Sequence, residues 1–185
     1  MKSNRLLRPD QAVLLIVDVQ EKFLTVIHEM EHIVKNIAVL IQTACELSIP
    51  VIVSEQYPEG LGGTVEVLSR LLPEGTAVFK KTSFGCLGEP EISSYLRSLD
   101  RRQVIVTGIE THICVNQTVH QLIKSGYEPH LIEDGVSSRD PVNIAVGLRK
   151  MIQSGAIPSC VEMALFELTG SASHPSFKVL RKLVK

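Results

Sequence analysis

The sequence predicts one α/β domain in three layers, with a parallel sheet between helices on both of its faces. Short runs rich in β-branched residues alternate along the chain with longer segments of helical periodicity, which is typical of parallel strands joined by crossover helices. The chain has 185 residues, of which 44% are hydrophobic and 21% are charged. It is long enough for one sizeable core, so we expect a single domain over residues 1–185.

Six segments have the composition of strands: residues 12–17, 51–54, 76–79, 103–107, 130–133 and 157–161. The clearest helix lies between the first two, because Ile27, Val34 and Ile41 share one helical face and Pro50 ends the segment. Further helices are expected over residues 65–71, 89–99, 113–124 and 142–154 and in the C-terminal segment. Gly126 and Gly155 mark two of their C-terminal ends.

Charge and cysteine content exclude several classes of protein. The formal net charge is −1, which argues against a nucleic-acid partner because backbone binding needs a clustered basic face. The basic tail, residues 178–185, fits the solvated side of a terminal amphipathic helix. The apolar run that ends before Asp18 is too short for a signal peptide or a membrane span. Widely spaced cysteines without a C-x-x-C pair favour reduced thiols and a cytoplasmic location.

Three different titratable side chains are predicted where strands end. Asp18 follows the first strand, Lys81 follows the third, and Cys114 lies at the start of the helix after the fourth. In an open parallel sheet the carboxyl ends of the strands form the ligand-binding edge. We therefore expect Asp18, Lys81 and Cys114 to lie in one catalytic site.

These three groups together support nucleophilic catalysis at a carbonyl carbon. Asp18 would take the thiol proton, Cys114 would attack, and Lys81 would offset negative charge. The first turn of a helix favours thiolate over thiol, so we expect a lowered pKa for Cys114. An oxyanion would be stabilised by backbone N–H groups of Cys114 and of the turn that contains Ile109 and Glu110.

Each of the three residues also has an ordinary structural explanation. Asp18 could cap the next helix, Cys114 could be a small buried apolar residue, and Lys81 could lie on the surface. The coincidence of a carboxylate, an ammonium and a thiol at three strand ends favours the catalytic interpretation.

The residues around this trio resemble a known family. Asp18-Val19-Gln20, Lys81-Thr82-Ser83-Phe84 and the run GIETHICV at 108–115 resemble the isochorismatase-like cysteine hydrolase superfamily. Residues 55–62 and 174–178 resemble its isochorismatase domain-containing branch. The resemblance covers nearly the whole chain. It implies a six-stranded parallel sheet in the order 3-2-1-4-5-6, an Asp18-Lys81-Cys114 triad, and a cis peptide bond between Ile109 and Glu110.

Departures from better-defined members narrow the expected reaction. Nicotinamidases of this superfamily bind a metal through an Asp and two His near the second strand, whereas this chain has Ser54-Glu55-Gln56-Tyr57 there. We therefore expect no metal and no cofactor. True isochorismatases lack the cysteine, so Cys114 points towards a small amide, ureido or related carbonyl substrate.

A second motif, His28-Glu29-Met30-Glu31-His32, matches the zinc-binding pattern H-E-x-x-H. On a helix whose buried face contains Ile27, Val34 and Ile41, both histidines would lie about 100 to 140° from that face. No third ligand is evident from the spacing, so we expect these histidines to face solvent. Gly60-Leu61-Gly62-Gly63 lacks the Lys-Ser/Thr ending of a phosphate loop and predicts a turn or a substrate-side loop.

Residues that follow strand ends are candidates for binding the substrate, with aromatic rings as apolar walls and amides to fix orientation. The predicted set is Gln20, Phe23, Gln56, Tyr57, Phe84 and Thr111. Residues 137–140 could reach the same edge, although capping of the helix before Pro141 explains them adequately.

Two functions of other kinds remain open at this stage. One is a catalytically silent binding or scaffold protein that keeps the fold, since a paired Asp and Lys can persist as a structural network. The other is isochorismatase-type ether hydrolysis, which would release pyruvate. The family resemblance, together with helices of substantial apolar surface, implies a homo-oligomer, a dimer or larger.

Overall fold

A computed structural model describes residues 5–185, so the first four residues of the predicted domain, among them Lys2, lie outside it. In the described chain six parallel strands form one sheet in the order β3-β2-β1-β4-β5-β6. They are β1 (Ala12–Val17), β2 (Val51–Gln56), β3 (Ala77–Lys81), β4 (Gln103–Ile109), β5 (Glu128–Ser137) and β6 (Ile157–Ser159). The predicted fold class and strand order are confirmed.

Helices connect the strands and cover both faces of the sheet. They are α1 (Met30–Glu46), α2 (Pro58–Leu61), α3 (Glu66–Ser69), α4 (Pro90–Ser98), α5 (Asn116–Lys124), α6 (Pro141–Gln153), α7 (Val161–Thr169) and α8 (Phe177–Leu180). The sixth strand is shorter than predicted, because α7 begins at Val161 with Cys160 at its N-terminal cap. The basic tail forms only the short helix α8, of which Leu180 is buried.

The period of two along β1 divides the core into two halves. Leu14 and Ile16 pack into a cluster with α1 and α7, whereas Val13, Leu15 and Val17 pack into a second cluster with α4, α5 and α6. Every residue of β1 is buried. A strand that is apolar on both faces belongs in the centre of an α/β sheet, which is where β1 lies.

Gly108 sets how closely the ends of β1 and β4 approach each other. Its φ is +114°, and a Cβ at this position would lie 2.0 Å from the carbonyl oxygen of Val17. Only glycine allows this backbone contact. The residue after Val17 is Asp18 and the residue after Gly108 is Ile109, so this contact places two predicted parts of the site side by side.

A membrane-spanning helix needs roughly 20 predominantly apolar residues. Among residues 5–185, no helix is both long enough and apolar enough to cross a bilayer.

His130 is an unusual polar residue in the core. It lies on β5 between Ile105 of β4 and Ile157 of β6, and it is fully buried. Neither ring nitrogen has a hydrogen-bond partner within residues 5–185. Burial lowers the pKa of His130 to about 4 from its ordinary 6.5, against a smaller opposite effect of Glu128.

This lowered pKa predicts a loss of stability in acid. Between pH 6.5 and pH 4 the unfolded chain binds a proton at His130 that the native protein does not, so the free energy of unfolding should fall by up to about 3 kcal/mol. In His130→Leu this part of the decrease should disappear. Urea unfolding at pH 7, 5.5 and 4.5 measures the difference. His32→Gln, an exposed histidine, is the control, and parallel curves for wild type and His130→Leu would contradict the prediction.

Candidate active site

Polar groups at the ends of four neighbouring strands meet at one edge of the sheet. Asp18 follows β1, Ser54 lies near the end of β2, Lys81 ends β3, and β4 leads into the peptide between Ile109 and Glu110. Because the four strands are parallel neighbours, their carboxyl ends lie side by side. The structure thus brings Asp18 and Lys81 together.

Asp18 and Lys81 form a buried ion pair. Lys81 Nζ lies 2.7 Å from Asp18 Oδ2, and the exposed fractions of the two side chains are 0% and 2%. Moving such ions out of water costs several kcal/mol each, so each depends on the other for compensation. Lys81 is therefore not a surface lysine, and the role of Asp18 is not that of a helix cap.

All three protons of the Lys81 ammonium are committed to other acceptors. Nζ donates to Gln56 Oε1 at 2.6 Å, to the carbonyl of Ser83 at 3.1 Å and to the carbonyl of Phe84 at 2.9 Å. The contact with Asp18 Oδ2 is therefore electrostatic, without an aligned hydrogen bond. No group of residues 5–185 donates a hydrogen bond to that oxygen. Asp18 Oδ2 keeps an open acceptor position.

The other oxygen of Asp18 is occupied. Ser54 Oγ donates to Asp18 Oδ1 at 2.8 Å, and Cys86 Sγ donates to Ser54 Oγ at 3.4 Å. The sequence interpretation missed both residues. The parallel register pairs Ser54 with Val17, the neighbour of Asp18, and this signal could have indicated Ser54. Cys86 lies in a short 3-10 turn after β3, and its spacing gives no comparable signal.

Cys114 lies in a π-helical turn, Thr111–Val115, that leads directly into α5. Burial raises the pKa of Cys114 above its ordinary value, and the nearby Asp18 carboxylate raises it further, whereas Lys81 opposes the shift. The predicted lowering of this pKa by a helix N-terminus is wrong, because desolvation and a negative neighbour outweigh it. The resting side chain is a protonated thiol, and attack on a carbonyl requires a base.

Asp18 and Cys114 line the same cavity, whose volume is about 140 Å³. Three of the predicted substrate-binding residues also line it: Phe23, Gln56 and Phe84. The remaining lining residues are Leu61, Ile109, Glu110 and Ile113. Leu61 and Ile113 were missed as site residues, because their apolar side chains follow a turn and a helix start and give no chemical signal.

Three other predicted binding residues do not line the cavity. Gln20 is fully buried, and its amide donates to the carbonyls of Gln56 and Gly62 and accepts from the N–H of Gln56. It therefore holds the end of β2 in place. Tyr57 is 57% exposed, and Thr111 is buried with no hydrogen-bond partner for Oγ1 in the described chain.

Glu110 is the second acidic residue that lines the cavity. Its Oε2 accepts from the backbone N–H of Arg139 at 3.0 Å and from Arg139 Nε at 3.1 Å. Asp140 caps α6 by accepting from the N–H of Val142, as the capping explanation predicts. The sequence interpretation included Glu110 only for its backbone and missed its ion pair with Arg139.

The peptide bond between Ile109 and Glu110 is cis, at the position where the family resemblance places one. The Glu110 carbonyl accepts hydrogen bonds from the N–H groups of Ile113 and Val115 at 3.0 and 3.2 Å. These two N–H groups are therefore committed to the turn. An oxyanion bound at this turn would need N–H groups other than these two.

The H-E-x-x-H pattern does not lie on one helix. The helix α1 begins at Met30, and Glu29 before it has a φ of 50°. His28 therefore lies outside the helix that carries His32, and the two histidines are not one helical turn apart. Both are exposed, as expected. No group of three or more His, Cys, Asp or Glu residues in the described chain has the geometry of a metal site.

Breaking the buried ion pair should be costly. In Lys81→Met the Asp18 carboxylate loses its counter-charge, so the free energy of unfolding should fall by about 3 to 5 kcal/mol. Lys80→Met is the matched control, because Lys80 pairs with Glu59 at the surface and its removal should barely move the urea midpoint. Equal losses in the two variants would contradict the buried-pair interpretation.

The pKa of Cys114 should depend on Asp18. In wild type, alkylation of Cys114 by iodoacetamide should keep accelerating above pH 8.5, the ordinary range of a thiol. In Asp18→Asn the midpoint should move to lower pH, because a negative charge is removed and Lys81 is no longer offset. Peptide mass mapping resolves the rates, with exposed Cys45 as the internal reference. An unchanged or higher midpoint would contradict the prediction.

Comparison with known proteins places this geometry in a family. The isochorismatase domain model matches residues 12–163. Isochorismatase domain-containing protein 2 of Danio rerio is 40% identical over 174 residues, covering 94% of this chain and 86% of that protein.

Solved structures agree with the sequence comparison. The structure of MAR1 ribonuclease from Caenorhabditis elegans superposes with a TM-score of 0.93 at 38% identity, covering 97% of this chain and 92% of that one. An octameric hydrolase of unknown specificity from Escherichia coli, the YcaC gene product, shares the fold with a TM-score of 0.87 at 18% identity, covering 100% and 97%. By its sequence and by its six-stranded hydrolase fold, the chain belongs to the isochorismatase family.

Proposed function

We propose that this protein is a metal-independent cysteine hydrolase that cleaves the C–N bond of a small amide or ureido compound through a covalent intermediate on Cys114. The observation that carries the proposal is the open acceptor Asp18 Oδ2 in the same small cavity as the protonated Cys114 thiol. A carboxylate oxygen with a free acceptor position, close enough to a buried protonated thiol to raise its pKa, is the arrangement that proton abstraction requires.

The first half of the reaction forms a thioester. Asp18 Oδ2 takes the proton of Cys114 while the sulfur forms a bond with the carbonyl carbon, whose oxygen becomes an oxyanion. The C–N bond then breaks, the amine leaves with the proton held by Asp18, and the acyl group stays on sulfur. Lys81 holds the compensating positive charge throughout, because its three protons are committed elsewhere.

The second half releases the acid. A water molecule attacks the thioester carbonyl and gives a proton to Asp18, and the C–S bond breaks. The proton returns to the sulfur, which restores the thiol, and the product leaves as a carboxylic acid, or as a carbamic acid from a ureido substrate. Backbone N–H groups of Cys114 and of the turn with Ile109 and Glu110 stabilise the oxyanion in both halves, at roughly 3 kcal/mol per donor.

The size of the cavity limits the substrate. A volume of about 140 Å³ lies below the range of roughly 300 to 1,000 Å³ that is usual for drug-sized ligands. One structural relative is named a ribonuclease. Cleavage of RNA would require a nucleotide-sized site and a basic face. With a small cavity and a net charge of −1, a small molecule fits this chain better than a nucleic acid.

Ether hydrolysis of the isochorismatase type is the second enzymatic candidate. Isochorismate carries two carboxylates, and two acidic residues, Asp18 and Glu110, already line the cavity. Lys81 is already paired with Asp18, and Arg139 with Glu110. Neither cation is left unpaired to bind a substrate carboxylate, which favours the amide reaction. Ammonia release against pyruvate release distinguishes the two.

A catalytically silent scaffold is the remaining alternative. The loop with Tyr57, which is 57% exposed, would be its partner-binding surface. Failure of wild type to turn over a broad amide and ester panel, with a partner bound through residues 57–63, would favour the scaffold over the hydrolase.

We also propose that the protein forms a homo-oligomer and lies in the cytoplasm. A homo-oligomer, a dimer or larger, is supported by exposed apolar side chains of α7, since Met163 and Phe166 are 50% and 40% exposed and line a groove of about 560 Å³. The octameric relative has the same fold. All cysteines of residues 5–185 are free thiols, which supports the cytoplasm as the location.

Substitution of the nucleophile tests the mechanism. Cys114→Ser should lower kcat for ammonia release from small amides by at least about 10⁴-fold, because the serine hydroxyl is a far weaker nucleophile with this base. Its thermal midpoint should stay within a few degrees of wild type. Cys45→Ser, at an exposed thiol, is the control and should keep full activity. Retained turnover in Cys114→Ser would overturn the assignment of the nucleophile.

A further inference from the structure

We propose that the Glu110 side chain determines substrate specificity by binding an –NH₂ group, so that the cavity takes small uncharged primary amides and rejects carboxylates. The placement of this –NH₂ as the leaving group rests on the function proposed above. The charge preference itself follows from the described contacts and holds whether or not the bound molecule reacts.

The positive charges near the cavity are already neutralised. The Lys81 ammonium gives its three protons to protein oxygens and faces the Asp18 carboxylate. The Arg139 guanidinium binds Glu110 through Nε, its side chain is 62% exposed, and it does not line the cavity. A ligand carboxylate would therefore meet no free cation there.

The open hydrogen-bonding positions of the two acidic residues that line the cavity are acceptors. Glu110 Oε2 takes both bonds from Arg139, whereas Oε1 receives none from residues 5–185. Asp18 Oδ2 meets the Lys81 ammonium at 2.7 Å without an aligned hydrogen bond from residues 5–185, so it also has a free acceptor position. The Gln56 amide is the exception: its oxygen accepts from Lys81 and its nitrogen donates one proton to the carbonyl of Thr82, which leaves one uncharged N–H for a ligand oxygen.

A primary amide matches this pattern of acceptors. Its –NH₂ supplies two donors and no charge, so one N–H can bind Glu110 Oε1 in a charge-assisted hydrogen bond. A carboxylate of the same shape has no donor and places a third negative charge beside two carboxylates. The specificity thus has an attractive part and a repulsive part.

The rest of the cavity is apolar and small. Its walls are the side chains of Phe23, Leu61, Phe84, Ile109 and Ile113. A volume of about 140 Å³ corresponds to roughly five water molecules at about 30 Å³ each. The acyl part of the substrate is therefore a short apolar group, and propionamide and propionate form a suitable isosteric pair of probes.

Ligand binding to Cys114→Ser tests the inference without turnover. Isothermal titration or NMR titration with propionamide and with propionate at pH 7.5 should show that the amide binds at least about tenfold more tightly. Equal affinities, tighter binding of propionate, or binding of neither probe would overturn the inference.

Substitution of Glu110 should weaken or abolish this preference. In Glu110→Gln the side-chain oxygen can keep the bonds from Arg139, and the new –NH₂ then replaces Oε1 as a donor towards the cavity. In the Cys114→Ser background the ratio of amide to carboxylate affinity should fall at least tenfold. Glu91→Gln, which removes an exposed carboxylate on α4, is the matched control and should leave the ratio unchanged. An unchanged ratio in Glu110→Gln would remove Glu110 from the specificity site.

Alkylation of wild type gives a second readout of the same property. The ratio of iodoacetamide to iodoacetate rates at Cys114 should exceed the ratio at exposed Cys45 at least tenfold, since only the neutral reagent suits the cavity. Equal ratios would contradict the inference.

These outcomes separate the two proposals. Selective amide binding by Cys114→Ser with no amide turnover by wild type would reject the hydrolase and keep the ligand class. Turnover of anionic substrates through Cys114 would reject the ligand class and keep the hydrolase.

Discussion

The buried ion pair of Asp18 and Lys81 is the constraint on which the rest of the site depends. Two charges buried at a sheet edge are stable only when their remaining hydrogen-bonding groups are satisfied. Gln56 and two loop carbonyls take the protons of Lys81, and Ser54 fixes one oxygen of Asp18. The carboxyl ends of β1, β2 and β3 must therefore lie at the same level of the sheet. The same contacts thus stabilise the ion pair and position Asp18 as a base.

The fold could be predicted from the sequence because several independent patterns indicate the same architecture. The uninterrupted apolar residues of β1 indicate a strand covered on both faces, and the face of α1 has a clear period of 3.6. Strand ends were less predictable. Charged residues such as Lys80 and Lys81 look like loop residues, yet they extend β3 because their backbones pair with Glu55 and Gln56. Such pairing depends on a neighbouring strand that local composition does not reveal.

For the site, the sequence located the residue types but not their environments. Asp18, Lys81 and Cys114 were predicted from strand ends, since parallel topology alone brings such ends together. Ser54 and Arg139 act through long-range contacts that no local spacing encodes. The direction of the Cys114 pKa shift was wrong for the same reason: a helix terminus can be read from sequence, whereas the burial that dominates the pKa depends on the packed structure.

A raised thiol pKa changes what the ion pair contributes to the proposed reaction. Little thiolate exists at rest, so proton transfer to Asp18 accompanies attack on the carbonyl instead of preceding it. Once Asp18 carries that proton, the negative charge lies on the substrate oxyanion and no longer on the carboxylate beside Lys81, so the buried cation has lost its adjacent partner, which is an unfavourable state. Because the three protons of Lys81 are already committed, it cannot relieve this state by moving a proton itself. The imbalance favours return of the proton from Asp18 to the leaving amine, so the same ion pair that stabilises the sheet edge drives collapse to the thioester.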